Sequence, residues 1–318
     1  MREDARIFVA GHRGLVGSAL ARRLEALGHT GLVVRTHDEL DLTDQAATFA
    51  FFEAERPTHV FLAAARVGGI GANSAYPADF IYDNLAIAMN VIEASWRTGV
   101  ERLLNLGSSC IYPRLATQPL TEDALLTGPL EPTNEPYAIA KIAAIKLCSA
   151  YNRQHGTDYV SLMPTNLYGP NDTYDVERGH VLPVLLAKFH AAKTTGEDAV
   201  VLWGDGSPLR EFLFADDLAE AAVEVMERVS AREAGEFVNV GSGEEVSIAQ
   251  LAAAVRETVY ADAPGRSCGI VWDASRPNGT PRKLLDSSRL SRLIDWRPRT
   301  TLAEGLKLAY ADFLRSHG

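Results

Sequence analysis

Arg6-Ile7-Phe8-Val9-Ala10-Gly11-His12-Arg13-Gly14-Leu15-Val16-Gly17 is the stretch whose reading decides the fold. A short apolar run enters a glycine-rich turn, and from Leu15 to Leu27 apolar positions recur with a helical period that stops at Gly28. Strand, glycine turn and helix in that order is the context in which a glycine motif becomes a dinucleotide-binding hypothesis. Bare glycines let the backbone approach a pyrophosphate, and the start of the helix supplies free N–H groups and a positive dipole end. The competing use of such a turn is structural, a tight strand-to-helix connection.

Working outward, the second strand, Gly31-Leu32-Val33-Val34, ends in Arg35. An NAD enzyme places an acid there for the ribose 2′-hydroxyl, whereas this chain has a cation, and Arg13 in the glycine turn reaches toward the same spot. Two guanidiniums suit a 2′-phosphate through charge-assisted bidentate bonds, which predicts NADPH over NADH. Asp41-Leu42-Thr43-Asp44 caps a helix over Gln45 to Glu55. His59-Val60-Phe61-Leu62-Ala63-Ala64-Ala65 reads as a buried strand whose small last residues let a cofactor pass, and Arg66 to Gly71 as a flexible loop. A long helix over about 77–99 and a buried strand at 101–106 follow. The alternation predicts an α/β protein with a Rossmann-type doubly wound parallel sheet and a smaller α/β substrate-binding lobe. Residues 1–170, with 210–230 returning, are expected to form the dinucleotide domain, and 171–209 with 231–318 the second lobe.

Composition narrows the function. Net charge is −10, which argues against nucleic acid as the main partner. Cys110, Cys148 and Cys268 are odd in number and far apart, so neither a disulfide framework nor a metal site is expected. No apolar run approaches the roughly 18 residues needed to cross a bilayer, and the acidic start does not read as a signal peptide. The expectation is a cytoplasmic protein with no membrane partner.

Two stretches carry chemistry. In Pro136-Tyr137-Ala138-Ile139-Ala140-Lys141 the tyrosine and lysine are four apart and share a helix face. A nearby ammonium favours the phenolate, so the tyrosine pKa is predicted to fall from about 10 toward neutrality. Leu106-Gly107-Ser108-Ser109-Cys110 leaves a strand at its carboxyl end, where ligands of open α/β sheets bind. Read as extended, it points Ser108 and Cys110 into one cavity, the hydroxyl toward a carbonyl oxygen and the thiol as an acid/base group. Further on, Pro164-Thr165-Asn166-Leu167-Tyr168-Gly169-Pro170 reads as a loop closing over the nicotinamide, with His180 in the next loop. Trp203-Gly204-Asp205-Gly206-Ser207-Pro208-Leu209-Arg210 offers an aromatic to stack on a base and an arginine to clamp a diphosphate. Asp216-Asp217 is expected to cap a helix, as is Ser247. Trp272 to Lys283 reads as a polar, partly basic loop.

The G-x-x-G-x-x-G spacing resembles the extended short-chain dehydrogenase/reductases. In that superfamily an acid-Leu-x-Asp turn such as Asp41-Leu42-Thr43-Asp44 lies near the adenine. Gly107-Ser108-Ser109-Cys110-Ile111-Tyr112-Pro113, Glu131-Pro132-Thr133-Asn134-Glu135-Pro136-Tyr137-Ala138-Ile139-Ala140-Lys141 and Gly279-Thr280-Pro281-Arg282-Lys283 narrow this further. Together they resemble the GDP-L-fucose synthase family, nearly end to end. The resemblance implies a homodimer, joined through helices near 77–99 and 137–155. It also implies a bifunctional enzyme that inverts C3″ and C5″ of GDP-4-keto-6-deoxy-D-mannose and then reduces C4″ with NADPH. The implied catalytic set is Ser108, Cys110 as base, Tyr137, Lys141, and His180 as acid. The implied cofactor contacts are Gly11, Arg13, Gly14, Leu15, Val16, Gly17, Arg35, Asp41, Leu42, Ala64, Leu106, Gly107, Ser108, Tyr137, Lys141, Pro164, Thr165, Asn166, Leu167 and His180. Lys188, Trp203, Arg210 and Asn278 are expected at the substrate.

Two positions depart from the family. Phe214 replaces a common histidine, which reads as a packing change, and Asn278 replaces a common aspartate at a nucleotide-sugar contact. The alternatives are an enzyme of this fold that only reduces or only epimerises the sugar, and a non-catalytic nucleotide-binding protein. Cys110 with His180 argues against pure reduction, the basic 2′-phosphate site against a tightly held NAD used only as an internal redox shuttle, and the complete Ser/Tyr/Lys set against the non-catalytic reading.

Overall fold

The computed structural model describes residues 1–2, 5–177, 179–276 and 278–317; Pro277 of the polar loop lies outside the described residues. The chain opens with β1 (Ile7–Ala10), α1 (Leu15–Ala26), β2 (Leu32–Val33), α2 (Gln45–Glu55) and β3 (His59–Leu62). It continues through α3 (Ile70–Ala75), α4 (Pro77–Thr98), β4 (Arg102–Leu106), α5 (Glu135–His155) and β5 (Tyr159–Pro164). Then follow β6 (Asn166–Tyr168), α6 (Val181–Thr195), β7 (Ala199–Trp203), β8 (Leu209–Phe214), α7 (Ala215–Arg228), α8 (Ala231–Ala234) and β9 (Val238–Val240). The chain closes with β10 (Glu245–Ser247), α9 (Ile248–Val259), β11 (Gly269–Asp273), β12 (Arg282–Lys283), α10 (Ser288–Leu293) and α11 (Leu302–His317).

The main sheet has the order β2-β1-β3-β4-β5-β9, every pair parallel. Strand order reverses between β1 and β3, so the crevice above their carboxyl ends is the topological switch point. Both faces are covered, as a parallel sheet requires. One core joins Ile7, Val9, Leu20, Phe61 and Leu104 to α1 and α7. The other joins Phe8, Phe52, Val60 and Leu103 to Val91 and Ile92 of α4 and Ala144 and Cys148 of α5. A separate core under α6, α9 and α11 carries β7 and β8.

Helix limits follow their caps. Asp44 accepts from the Ala47 N–H at 3.0 Å and starts α2, Gly99 at φ +75° ends α4, and Ser247 with Gln250 forms a reciprocal capping box on α9. Asp216 and Asp217 do not cap: Phe214 is the N-cap residue of α7, and both acids lie in its first turn. There Asp216 pairs with Arg22 and Asp217 accepts from the Thr300 N–H at 3.0 Å, while both still favour the positive end of the helix. The loop at 66–71 is also not free. Asn84 both accepts from the Arg66 N–H and donates to its carbonyl, Asn73 donates to Gly68 and Gly69, and Arg66 pairs with Asp79 and Asp83.

Candidate active site

The glycine turn is shaped by close approach. Gly11 has φ +84°, and a Cβ there would meet the Ala64 backbone nitrogen at 2.8 Å. A Cβ on Gly17 would lie 2.1 Å from the Gly11 carbonyl oxygen, so α1 starts directly against the turn. Gly14 differs, because its Cβ position has only the Gly11 oxygen nearby, at 3.5 Å. The side chains of Leu15 and Val16 pack on the core below, leaving their backbone to the crevice. Arg13 is exposed there. Arg35 is half-buried and already engaged: it pairs with Glu55, donates to the Val34 carbonyl at 2.7 Å and lies over the Phe51 ring. Leu42 is buried in the core, and Asp41 holds the turn by accepting from Thr43.

The catalytic candidates meet at the carboxyl end of β4. Ser108 is extended, but Ser109–Ile111 is a single 3₁₀ turn in which the Cys110 N–H approaches Ser108 Oγ at 3.4 Å. Strand alternation is therefore not what brings Ser108 and Cys110 together; a tight turn is. Cys110 is buried beside Ile111 and the half-buried Tyr137 of α5. Phe80 of α4 packs edge-on against the Tyr137 ring, fixing its plane.

Tyr137 hydrogen-bonds with Ser108, yet burial drives its pKa up, helped by the nearby Cys110 sulfur. The predicted fall toward neutrality is thus reversed. Lys141 explains why: its Nζ lies 5.7 Å from the ring centre and donates to the Leu106 carbonyl at 2.9 Å. Burial lowers Lys141 itself to about 8. In this environment desolvation of the phenolate outweighs the ammonium.

Burial also raises the Cys110 thiol, opposed first by the Lys283 ammonium, then by Ser108 and Lys141. His180 is the N-cap residue of α6. Its pKa is lowered by burial and again by Lys283. One cation therefore acts on both Cys110 and His180 from β12. Lys283 is the functional candidate that sequence reasoning left unassigned; Gly279-Thr280-Pro281-Arg282-Lys283 was the available signal. β12 runs parallel to β8 with Lys283 opposite Arg210, so two cations stand side by side.

The remaining candidates divide. Thr165 and Asn166 both donate to the Glu211 carbonyl, which ties the end of β5 to β8. Lys188 donates to the Val201 carbonyl at 3.0 Å, next to the half-exposed Trp203, which lies under the Arg276 guanidinium. Asn278 accepts from the Asp205 N–H at 3.0 Å, a task an aspartate oxygen would do equally well. Phe214 is buried against Tyr168, as a packing change requires.

The profile of the NAD dependent epimerase/dehydratase family matches residues 7–241. "GDP-L-fucose synthase 1" of Arabidopsis thaliana is 56% identical over 314 residues, covering 99% of this chain and 94% of that protein. "GDP-L-fucose synthase" of Escherichia coli is 51% identical over 317 residues, covering 98% and 97%. Among solved structures, the GDP-mannoheptose C4 reductase of Campylobacter jejuni with NADP bound superposes with a TM-score of 0.89 at 36% identity, covering 99% of each chain.

Proposed function

The chain belongs to the GDP-L-fucose synthases within the NAD dependent epimerase/dehydratase family, and on that premise we propose how its residues divide the reaction. The enzyme epimerises GDP-4-keto-6-deoxy-D-mannose at C3″ and C5″ and reduces it at C4″ to GDP-L-fucose. The observation that carries the assignment of roles is the convergence of Ser108, Cys110, Tyr137 and Lys141 on the end of β4, with His180 sharing the influence of Lys283.

A C4″ ketone acidifies the hydrogens on C3″ and C5″. Cys110 as thiolate takes such a proton, and the electrons move onto the C4″ oxygen. Ser108 and Tyr137 hold that oxyanion by hydrogen bonds. His180 returns a proton to the opposite face, which inverts the carbon. After both inversions the Tyr137 hydroxyl supplies the proton that the C4″ oxygen gains on reduction. Its raised pKa suits a group that must still carry its proton at neutral pH. Arg210 holds the diphosphate, and Trp203 and Lys188 face the nucleotide. The runner-up, reduction without epimerisation, leaves the buried Cys110 and its cation without a task.

The crevice fits NADPH. The contacts of Gly11 and Gly17 leave no room for side chains, while the space above Gly14 is open to a pyrophosphate. Arg13 and Arg35 would take the 2′-phosphate and Lys141 the nicotinamide ribose; the bound cofactor supplies the hydride. We further propose that the dinucleotide domain is 1–170 with 210–230, and that the rest is the sugar-nucleotide lobe. Tyr82, Met89 and Trp96 are exposed at seven-residue intervals along α4, with Ile139 exposed on the adjoining α5. This stripe is the proposed homodimer contact. Among the described residues no helix is long and apolar enough to cross a membrane, and the proposed location is the cytoplasm.

The test is incubation with GDP-4-keto-6-deoxy-D-mannose and NADPH, with the product sugar identified by NMR. GDP-L-fucose is expected. A 4-hydroxy product with unchanged C3″ and C5″ would replace this reading with the reductase alone.

A further inference from the structure

We propose that Lys283 is the positioning residue that makes Cys110 a usable base, by holding its thiolate rather than by holding the substrate diphosphate alone; this rests on the proposed role of Cys110. The argument starts from the pocket shared by Cys110, Glu131, Asn134, Arg114, Arg282 and Lys283. Its other cations are satisfied: Arg114 pairs with Glu131 at 3.2 Å and Arg282 with Glu245 at 2.8 Å. Among the described residues no carboxylate stands within ion-pair distance of the Lys283 ammonium. A cation taken out of water without a counter-ion is costly unless an anion arrives.

Glu131, in the same pocket, also favours the Lys283 ammonium but is paired with Arg114, which leaves the Cys110 thiolate and the diphosphate of the sugar nucleotide as the anions free to meet it. Register separates their holders. Arg210 lies opposite Lys283 on β8 and provides a planar fork suited to a phosphate, whereas an ammonium is a point charge. Lys283 and Cys110 line the same pocket, and each moves the other's proton affinity toward the charged form. The remaining groups near the sulfur are Ser108 on its own turn, Tyr137 and Lys141 on α5, and Glu131 before α5; His180 and Arg210 act on Lys283. Of these only Ser108 and Lys141 also favour the thiolate, and Lys141 is held by the Leu106 carbonyl.

The segment carrying Lys283 is fixed from behind. Glu211, wholly buried, accepts from the Leu285 N–H at 3.0 Å and the Gly243 N–H at 2.7 Å. Its carbonyl takes the Thr165 and Asn166 side chains. One residue therefore fastens the Lys283 strand to the strand that carries Arg210. In the balanced step the thiol proton leaves to water before substrate binds. The sulfur lone pair then takes the ring proton as the C–H electrons pass to the C4″ oxygen.

The test titrates the thiolate by its ultraviolet absorbance in the substrate-free protein, taken as the difference from Cys110→Ser. Lys283→Met is expected to raise the midpoint by about one pH unit or more, and Lys283→Arg to restore it. The acid limb of solvent-deuterium exchange into the sugar ring should move by the same amount. A circular-dichroism melt checks that Lys283→Met is folded. An unchanged midpoint with a raised KM would assign Lys283 to the diphosphate and overturn the proposal. A shifted midpoint with exchange unaffected by Cys110→Ser would instead overturn the role of Cys110 while leaving its pairing with Lys283 standing.

Discussion

Lys141 donates from Nζ to the Leu106 carbonyl at 2.9 Å, so its ammonium is anchored to the last residue of β4 rather than to Tyr137. That bond fixes a buried ammonium whose pKa has fallen to about 8. The charged form persists below that pH and is lost above it. We predict an alkaline decline in kcat/KM for NADPH oxidation with a midpoint near 8, moved to higher pH in Lys141→Arg. A profile that stays level through this range would remove the charge of Lys141 from the reductive step. The linkage to stability has a defined sign. The unfolded chain, with a lysine near about 10.4, binds more protons than the folded one between the two pKa values, so stability rises with pH through that window. Lys141→Met should therefore abolish reduction without lowering the melting temperature at neutral pH.

The environment of Tyr137 suits the proposed proton donor: burial keeps the phenol protonated, and Ser108 hydrogen-bonds with it. Tyr137→Phe keeps the ring packed on Phe80 and removes only the hydroxyl. Reduction is expected to drop by about 10²- to 10⁴-fold. Deuterium exchange at the sugar ring should remain measurable, since Cys110 and His180 are untouched. Equal loss of both activities, read by NADPH oxidation and by NMR on the same preparation, would contradict the division of labour.

Local chemistry made much of this legible. The β1 turn, the Asp44 cap, the Gly99 stop and the Ser247 box are decided within a few residues, and each element begins or ends where its sequence says. What sequence hid was decided by distant partners. Nothing near Asp216 announces Arg22, and nothing near Arg66 announces Asn84 and Asp83. The spacing of Tyr137 and Lys141 gives a shared face but not burial, and burial sets the sign of both pKa shifts. Lys283 gains its meaning only when β12 is laid against β8. The second strand, expected over Gly31-Leu32-Val33-Val34, pairs over only Leu32–Val33 at the edge of the sheet.

The proposed 2′-phosphate contact of Arg35 would have to share that side chain with a carboxylate. Arg35 pairs with Glu55, which also holds Arg6, and stacks on Phe51. A 2′-phosphate must compete with or share that guanidinium. Glu55→Gln should therefore tighten NADPH several-fold, while Arg35→Ala should weaken NADPH by about tenfold and leave NADH nearly unchanged, the worth of one half-buried charge-assisted contact. Titration of both dinucleotides by fluorescence checks this. A native preference for NADH would refute the arginine argument altogether.

The glycine turn allows the protein's own needs to be separated from the cofactor's. At Gly17 a methyl group would sit 2.1 Å from the Gly11 carbonyl, and both are backbone, so no side chain can yield. Gly17→Ala must push α1 off the turn, with a loss of about 1–3 kcal/mol or more in urea denaturation. At Gly14 the nearest atom lies 3.5 Å away and φ is −78°, which any residue adopts. Gly14→Ala should consequently fold with unchanged stability. The added methyl would instead occupy space open to the pyrophosphate, so NADPH affinity should drop at least tenfold by fluorescence titration. Full NADPH affinity in Gly14→Ala would mean that the dinucleotide does not pass over this turn, and the cofactor crevice would have to be sought elsewhere along the sheet edge.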